Sequence, residues 1–274
     1  VFDVATGALL QQLRWHDAVS KWGAWSPNDR VYAVSGMGEE GVRRYDTESW
    51  TSDHARHGHR TFRRVGWLAD GSMWGASYAR PPSVWIGNEA PRHVGSRPAF
   101  DGSSAPDRHA AVFVTLDGQV LRLDPGGWLT ELLVDPELVR ADLGNDDTLV
   151  VSTRSTIRIL DADGVERLSF QPEQLPLDLR LSPDGRWLAT GHLDGAARVW
   201  SATDGSLRAV LRGHTERVVH VDFEPDGQRL LTASWDGRAR RWGLAPMEAD
   251  PQTLLDDARR RWGMEPEEAL ASWE

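Results

Sequence analysis

The strongest constraint on this chain is that it repeats itself. The run Leu181-Ser-Pro-Asp-Gly-Arg-Trp-Leu-Ala-Thr-Gly-His-Leu-Asp-Gly-Ala-Ala-Arg-Val-Trp200 returns as Phe223-Glu-Pro-Asp-Gly-Gln-Arg-Leu-Leu-Thr-Ala-Ser-Trp-Asp-Gly-Arg-Ala-Arg-Arg-Trp242, with Asp184 and Asp226 standing 42 residues apart. Weaker copies of the same turn at Asn28, Asp70, Asp107 and Asn145 extend the series to six units, with steps of 42, 37, 38, 39 and 42 residues. Within each unit, short β-rich runs such as 31–34, 111–114, 148–151 and 229–232 alternate with turn residues. Asp-Gly pairs beginning at 70, 101, 117, 163, 184, 194, 204, 226 and 236 supply the positive φ that tight hairpins need, so consecutive strands are expected to pair antiparallel. A period near forty residues with several short strands predicts an all-β fold, a β-propeller. A sandwich does not repeat its sequence sheet by sheet, and a parallel β-helix needs a shorter repeat.

Composition narrows the function. The chain has 274 residues, 40% hydrophobic and 26% charged, which is enough for a sizeable core. Its formal net charge of −10 argues against nucleic acid as a partner, since affinity for phosphate backbones rests on an excess of Lys and Arg. The absence of cysteine removes disulfides, thiolate nucleophiles and Cys-based zinc sites together. No apolar run approaches the roughly 18 residues that span a bilayer, so no membrane insertion is expected. Val1 is not an initiating Met, so the chain is read as cut from a longer protein, about whose leader the first residues say nothing. A cytoplasmic location is expected. Lys21 is the one lysine among 31 basic residues, a bias that points to a GC-rich bacterial genome.

At Gly213-His214, Ser234-Trp235-Asp236 and Trp242 the chain resembles the WD-repeat (WD40) family, and the resemblance fades backwards across residues 1 to about 245. It implies a buried hydrogen-bonded tetrad in each blade, made by a His, a strand Ser or Thr, a turn Asp and a strand Trp. Carried onto this sequence, that tetrad is His214, Thr232, Asp236 and Trp242. The preceding unit keeps Thr190, Asp194 and Trp200 but has Pro172 where the His belongs. His16 and His59 match the His position of two earlier units, Gly38 replaces the first one's Asp, and Trp85 is what the second clearly retains. The family's usual docking face also implies partner contacts for Arg217 and Trp235, which stand at the start of an inner strand and just before the turn Asp.

The expected organisation is a propeller over 1–246 and a helical tail over 247–274. Blades are read at about 17–57, 58–97, 98–135, 136–171, 172–212 and 213–246, after a partial blade at 1–16. That partial blade is the third and fourth strand (1–4 and 8–13) of a seventh. The last blade supplies three strands and no fourth, and rings of the family usually close by lending it the N-terminal strand. The alternative is a six-bladed ring in which 8–13 itself pairs with 239–243. In the tail, Asp250-Pro251 reads as a helix start, Leu254, Ala258 and Trp262 share one face, and Gly263 ends the helix.

Other chemistry is less well supported by the pattern. Gly36, Gly38 and Gly41 fit G-x-G-x-x-G but lead into Val42-Arg-Arg-Tyr45, a strand, so the glycines form a hairpin loop. His54, His57 and His59 stand among Arg56, Arg60, Arg63 and Arg64, a poor setting for a metal cation, and no metal or other cofactor is expected. Thr232, His214 and Asp236 share the residue types of a catalytic triad but fall where strands seal them from substrate. Asp161 and Asp163 offer too few oxygens for a calcium loop and read as a turn. The expected function is non-catalytic: a scaffold binding other proteins or other domains of its parent chain, as the C-terminal sensor or regulatory module of a bacterial signalling protein linked to a kinase or NTPase. The alternative is the accessory propeller of a hydrolase, or a propeller holding a small ligand or metal.

Overall fold

The computed structural model describes residues 19–37, 41–55, 62–86, 91–105 and 107–244, grouped in two compact units, 1–167 and 168–274. The strands read at 1–4 and 8–13, His16, Gly38, His59 and the tail at 247–274 lie outside the described residues. Among the described residues every regular element is a β-strand, in six antiparallel sheets, and no helix is long and apolar enough to cross a membrane.

In the first unit, blade 1 runs β1 (Val19–Trp25), β2 (Val31–Met37), β3 (Val42–Asp46) and β4 (Ser52–Ala55), each strand paired to the next. Blade 2 is β5 (Arg64–Trp67), β6 (Met73–Ser77), β7 (Arg80–Trp85) and β8 (Arg92–His93). Blade 3 is β9 (Ala99–Ser104), β10 (Ala111–Thr115), β11 (Gln119–Asp124) and β12 (Trp128–Val134). Blade 4 is β13 (Arg140–Leu143), β14 (Leu149–Ser152), β15 (Ile157–Leu160) and β16 (Glu166–Phe170), which leads into the second unit. There, blade 5 is β17 (Asp178–Leu181), β18 (Trp187–Gly191), β19 (Ala197–Ser201) and β20 (Leu207–Leu211). Blade 6 has β21 (Val218–Phe223), β22 (Arg229–Ser234) and β23 (Ala239–Gly243), with no fourth strand among the described residues.

One turn closes the first hairpin of all six blades. The N–H of Asp29, Gly71, Arg108, Asp147, Gly185 and Gly227 donates to the carbonyl three residues back. The side-chain oxygen of Asn28, Asp70, Asp107, Asp146, Asp184 and Asp226 accepts the N–H two residues on. The residue after that oxygen is left-handed each time, with φ from 56° at Asp29 to 82° at Gly71. This corrects the register of the fourth unit: Asp146, not Asn145, holds the turn, while the Asn145 side chain accepts the Asp107 N–H at 2.8 Å and ties two blades together.

The core lies between the blades rather than within them. Along β10, Ala111 and Phe113 pack toward blade 2 with Trp74, Ala76 and Val84, whereas Val112 and Val114 pack toward blade 4 with Ala141, Leu143 and Val151. Successive side chains of a strand point to opposite faces. A central blade with neighbours on both faces therefore buries every residue, as β10 does. In the second unit, Val199, Val218, Val221 and Leu230 form the corresponding layer. Outer strands β12, β16 and β20 leave part of each repeat exposed.

Candidate functional site

In blade 6 four polar side chains join in series. The indole N–H of Trp242 donates to the Thr232 hydroxyl at 2.9 Å, the hydroxyl meets His214 Nε2 at 2.7 Å, and His214 Nδ1 meets Asp236 Oδ2 at 2.9 Å. An indole only donates and a carboxylate only accepts, so with a neutral imidazole the chain has one direction: Trp to Thr, Thr to Nε2, Nδ1 to Asp. Burial works against ionisation of Asp236, but the bonds it accepts from His214 and from the backbone of Arg238 and Thr215 outweigh it and hold its carboxyl down at about 2. The strand pairing Thr232↔Arg240 sets the hydroxyl beside Trp242, and the loop before β21 brings in His214.

Blade 5 builds a similar chain from different residues. Trp200 donates to Thr190 at 2.8 Å and Thr190 meets an imidazole at 2.7 Å, but the imidazole belongs to His192, in the turn after β18. Burial, then the nearby Arg198 charge, keeps His192 neutral, with its pKa lowered to about 4. Its Nδ1 is shut off from water and faces the backbone of Gln174 and Leu175. Asp194 turns instead to Arg198, at 2.7 Å. The pattern Thr190-Gly191-His192 carried the signal, because residues two apart on an extended segment share a face. In blade 2, Trp85 is buried with its ring edge-on to Phe62 at 5.3 Å.

A second polar layer gave no signal in the repeat. Six places before the turn carboxylate, the inner strands carry Arg64, Asp101 and Arg140 in the first unit, and Asp178 and His220 in the second. Asp101 lies 2.6 Å from Arg64 and 3.8 Å from Arg140, so one carboxylate links three blades. Trp22 of blade 1 stacks under Arg64 at 4.1 Å. In the second unit, Asp178 bonds His220 at 2.8 Å and the Val221 N–H at 3.2 Å.

Four of the turns between second and third strands, those of blades 2, 3, 5 and 6, carry a large apolar side chain at the tip, whereas the blade 4 turn is polar, Thr153-Arg154-Ser155-Thr156. Tyr78 is 51% exposed and Leu116 55% in the first unit, and Leu193 57% and Trp235 66% in the second. Arg217 lies over the Trp235 ring at 4.2 Å, and its carbonyl accepts the Trp235 N–H. Blade 2 also pairs an Arg with the aromatic tip, Arg63 standing 5.2 Å from the Tyr78 ring centre and donating to its hydroxyl. The Leu193 turn reaches the same 212–217 loop: at Gly195 (φ 79°) an added Cβ would stand 2.8 Å from the His214 carbonyl. The Leu193 and Trp235 turns therefore both meet one loop.

These sheets and turns define a repeat protein of the β-propeller class. Residues 167–201 and 205–243 match the family model described as WD domain, G-beta repeat, so the chain carries WD repeats. Among curated proteins, WD repeat-containing protein 86 of Homo sapiens is 50% identical over 46 residues, which is 17% of this chain and 12% of that protein.

Proposed function

We propose that the chain is a non-catalytic platform that binds other proteins through the turns joining second and third strands. One observation carries this reading: the tips of four of these turns present Tyr78, Leu116, Leu193 and Trp235 to solvent, the first three between strands that are themselves largely buried. Aromatic and Arg side chains dominate binding energy at protein interfaces, and Trp235 with Arg217 is such a pair. The polar residues that resemble catalytic groups are otherwise engaged. Thr232, His214 and Asp236 bond one another beneath the surface, and Asp101 and Asp178 are ion-paired on the inner strands. In structural roles, Thr190, Trp200 and Trp85 belong with them. The finer proposal is a cytoplasmic sensor or regulatory module of a bacterial signalling protein linked to a kinase or NTPase. Arginine usage and the Asp-Pro-x-x-Leu-Leu-x-x-Ala-Arg run starting at Asp250 support it.

The test is site-specific photo-crosslinking in the native host, with the crosslinker placed in turn at 193, at 235 and, as control, at 207 on an outer strand. Partner adducts from 193 and 235 that disappear when Arg217 is changed to Glu support the platform. Adducts from 207 alone contradict it.

A further inference from the structure

The described arginines of the second unit divide into two groups. Arg180, Arg186, Arg198, Arg208, Arg229 and Arg241 each lie within 4.0 Å of a carboxylate, at distances from 2.5 to 3.5 Å. Arg212, Arg217, Arg238 and Arg240 have no ion-pair partner among the described residues. All four belong to the two segments that meet around Trp235. Arg212 and Arg217 bound the 212–217 loop, Arg238 lies in the Trp235 turn, and the Arg240 guanidinium packs against Gly213. The Nε of Arg240 is shielded from water and has no acceptor among the described residues.

The carboxylates nearby do not neutralise this group. Asp236 is taken by His214 and by the Thr215 N–H, which leaves Glu216 as the one acidic side chain of the loop. Four cations against two anions, Glu216 and the ionised Asp236, make a local positive field on a chain whose net charge is −10. At the centre of that field stands an exposed indole, and the exposed Leu193 sits on a turn that meets the same loop. Charge elsewhere on the chain repels an acidic partner, so attraction is focused here.

We infer that this face of the second unit receives an acidic peptide segment of a partner protein, an apolar side chain meeting Trp235 and Leu193 while flanking carboxylates meet Arg217, Arg238 and Arg212. The inference rests on the platform reading above and adds the chemistry of the partner. Arg217 is oriented by its stacking on Trp235, so its guanidinium edge is turned toward an incoming carboxylate with little loss of freedom.

The experiment uses the full chain and three fluorescein-labelled synthetic peptides with the same central Leu and Phe. One is flanked by Asp and Glu, one by Asn and Gln, and one by Lys. Fluorescence anisotropy should show binding of the acidic peptide, weakened at least about tenfold by Trp235→Ala and by Arg217→Glu, and further by added salt. Arg238→Glu, at an exposed side chain, should weaken it in the same direction while the thermal midpoint stays unchanged. Equal binding of the neutral or basic peptide, still lost in Trp235→Ala, overturns the acidic preference and leaves the platform intact. Acidic binding that ignores all three substitutions overturns the inference by placing the peptide elsewhere. Failure of every peptide to bind also overturns it, and the platform then stands or falls on the crosslinking result.

Discussion

Thr232 holds a donor and an acceptor at once, so replacing its hydroxyl by a methyl of nearly the same shape tests the polar chain with little change of volume. Thr232→Val strands both His214 Nε2 and the Trp242 indole N–H, and should lower unfolding stability by about 2 kcal/mol in urea titration. Titration gives a second test. The folded His192 has a pKa of about 4 against 6.5 when exposed, so below pH 6.5 the unfolded chain takes up a proton that the folded one refuses. Its contribution is complete above pH 6.5 and falls by about 3 kcal/mol as pH drops to 4. His109 has the opposite sign. Burial works against its protonation, but Asp147 and Asp107 raise its pKa, so its contribution is full below 6.5 and is lost as pH rises through that raised value. Comparing wild type with His192→Gln from pH 7 to pH 4.5 isolates the first group, and the variant should show the shallower acid loss.

At the scale of the element, Gly195 and Gly237 are a matched pair. Both follow the turn Asp between second and third strands, with φ of 79° and 77°, yet a Cβ at 195 meets the His214 carbonyl while one at 237 meets nothing within 4 Å. Gly237→Ala should cost about 1–2 kcal/mol for the left-handed backbone alone. Gly195→Ala should cost about 1–3 kcal/mol more, from crowding against the neighbouring loop. The turns between first and second strands of blades 5 and 6 were largely legible, because Pro183-Asp184-Gly185 and Pro225-Asp226-Gly227 leave little choice of conformation. The fourth blade was misread by one residue because Asn145 and Asp146 both suit a turn, and the left-handed position falls on Asp147, where no glycine marks it. His192 was missed for a related reason. The family pattern looks for its imidazole in the loop before the inner strand, whereas blade 5 takes it from the turn after β18.

Across the whole molecule, the repeat period made the all-β blades readable, since a sheet that buries both faces against like sheets must reuse its apolar pattern. What the period does not encode is pairing between different repeats. Arg64, Asp101 and Arg140 occupy one register position in three blades, and their opposite charges are what sequence averaging treats as noise. The same limit applies to Arg217 and Trp235, whose stacking joins two loops 18 residues apart in sequence. Within the Ser234-Trp235-Asp236 turn, one side chain points in to the polar chain and its neighbour points out to solvent.

This division between holding the fold and meeting a partner is tested most directly by equilibrium urea unfolding of Trp235→Ala beside Asp236→Ala in the full chain. The expected result is a Trp235→Ala unfolding free energy within about 0.5 kcal/mol of wild type and a clear loss of stability in Asp236→Ala. A Trp235→Ala variant as destabilised as Asp236→Ala would show the indole to be packing for the fold, and would contradict the account.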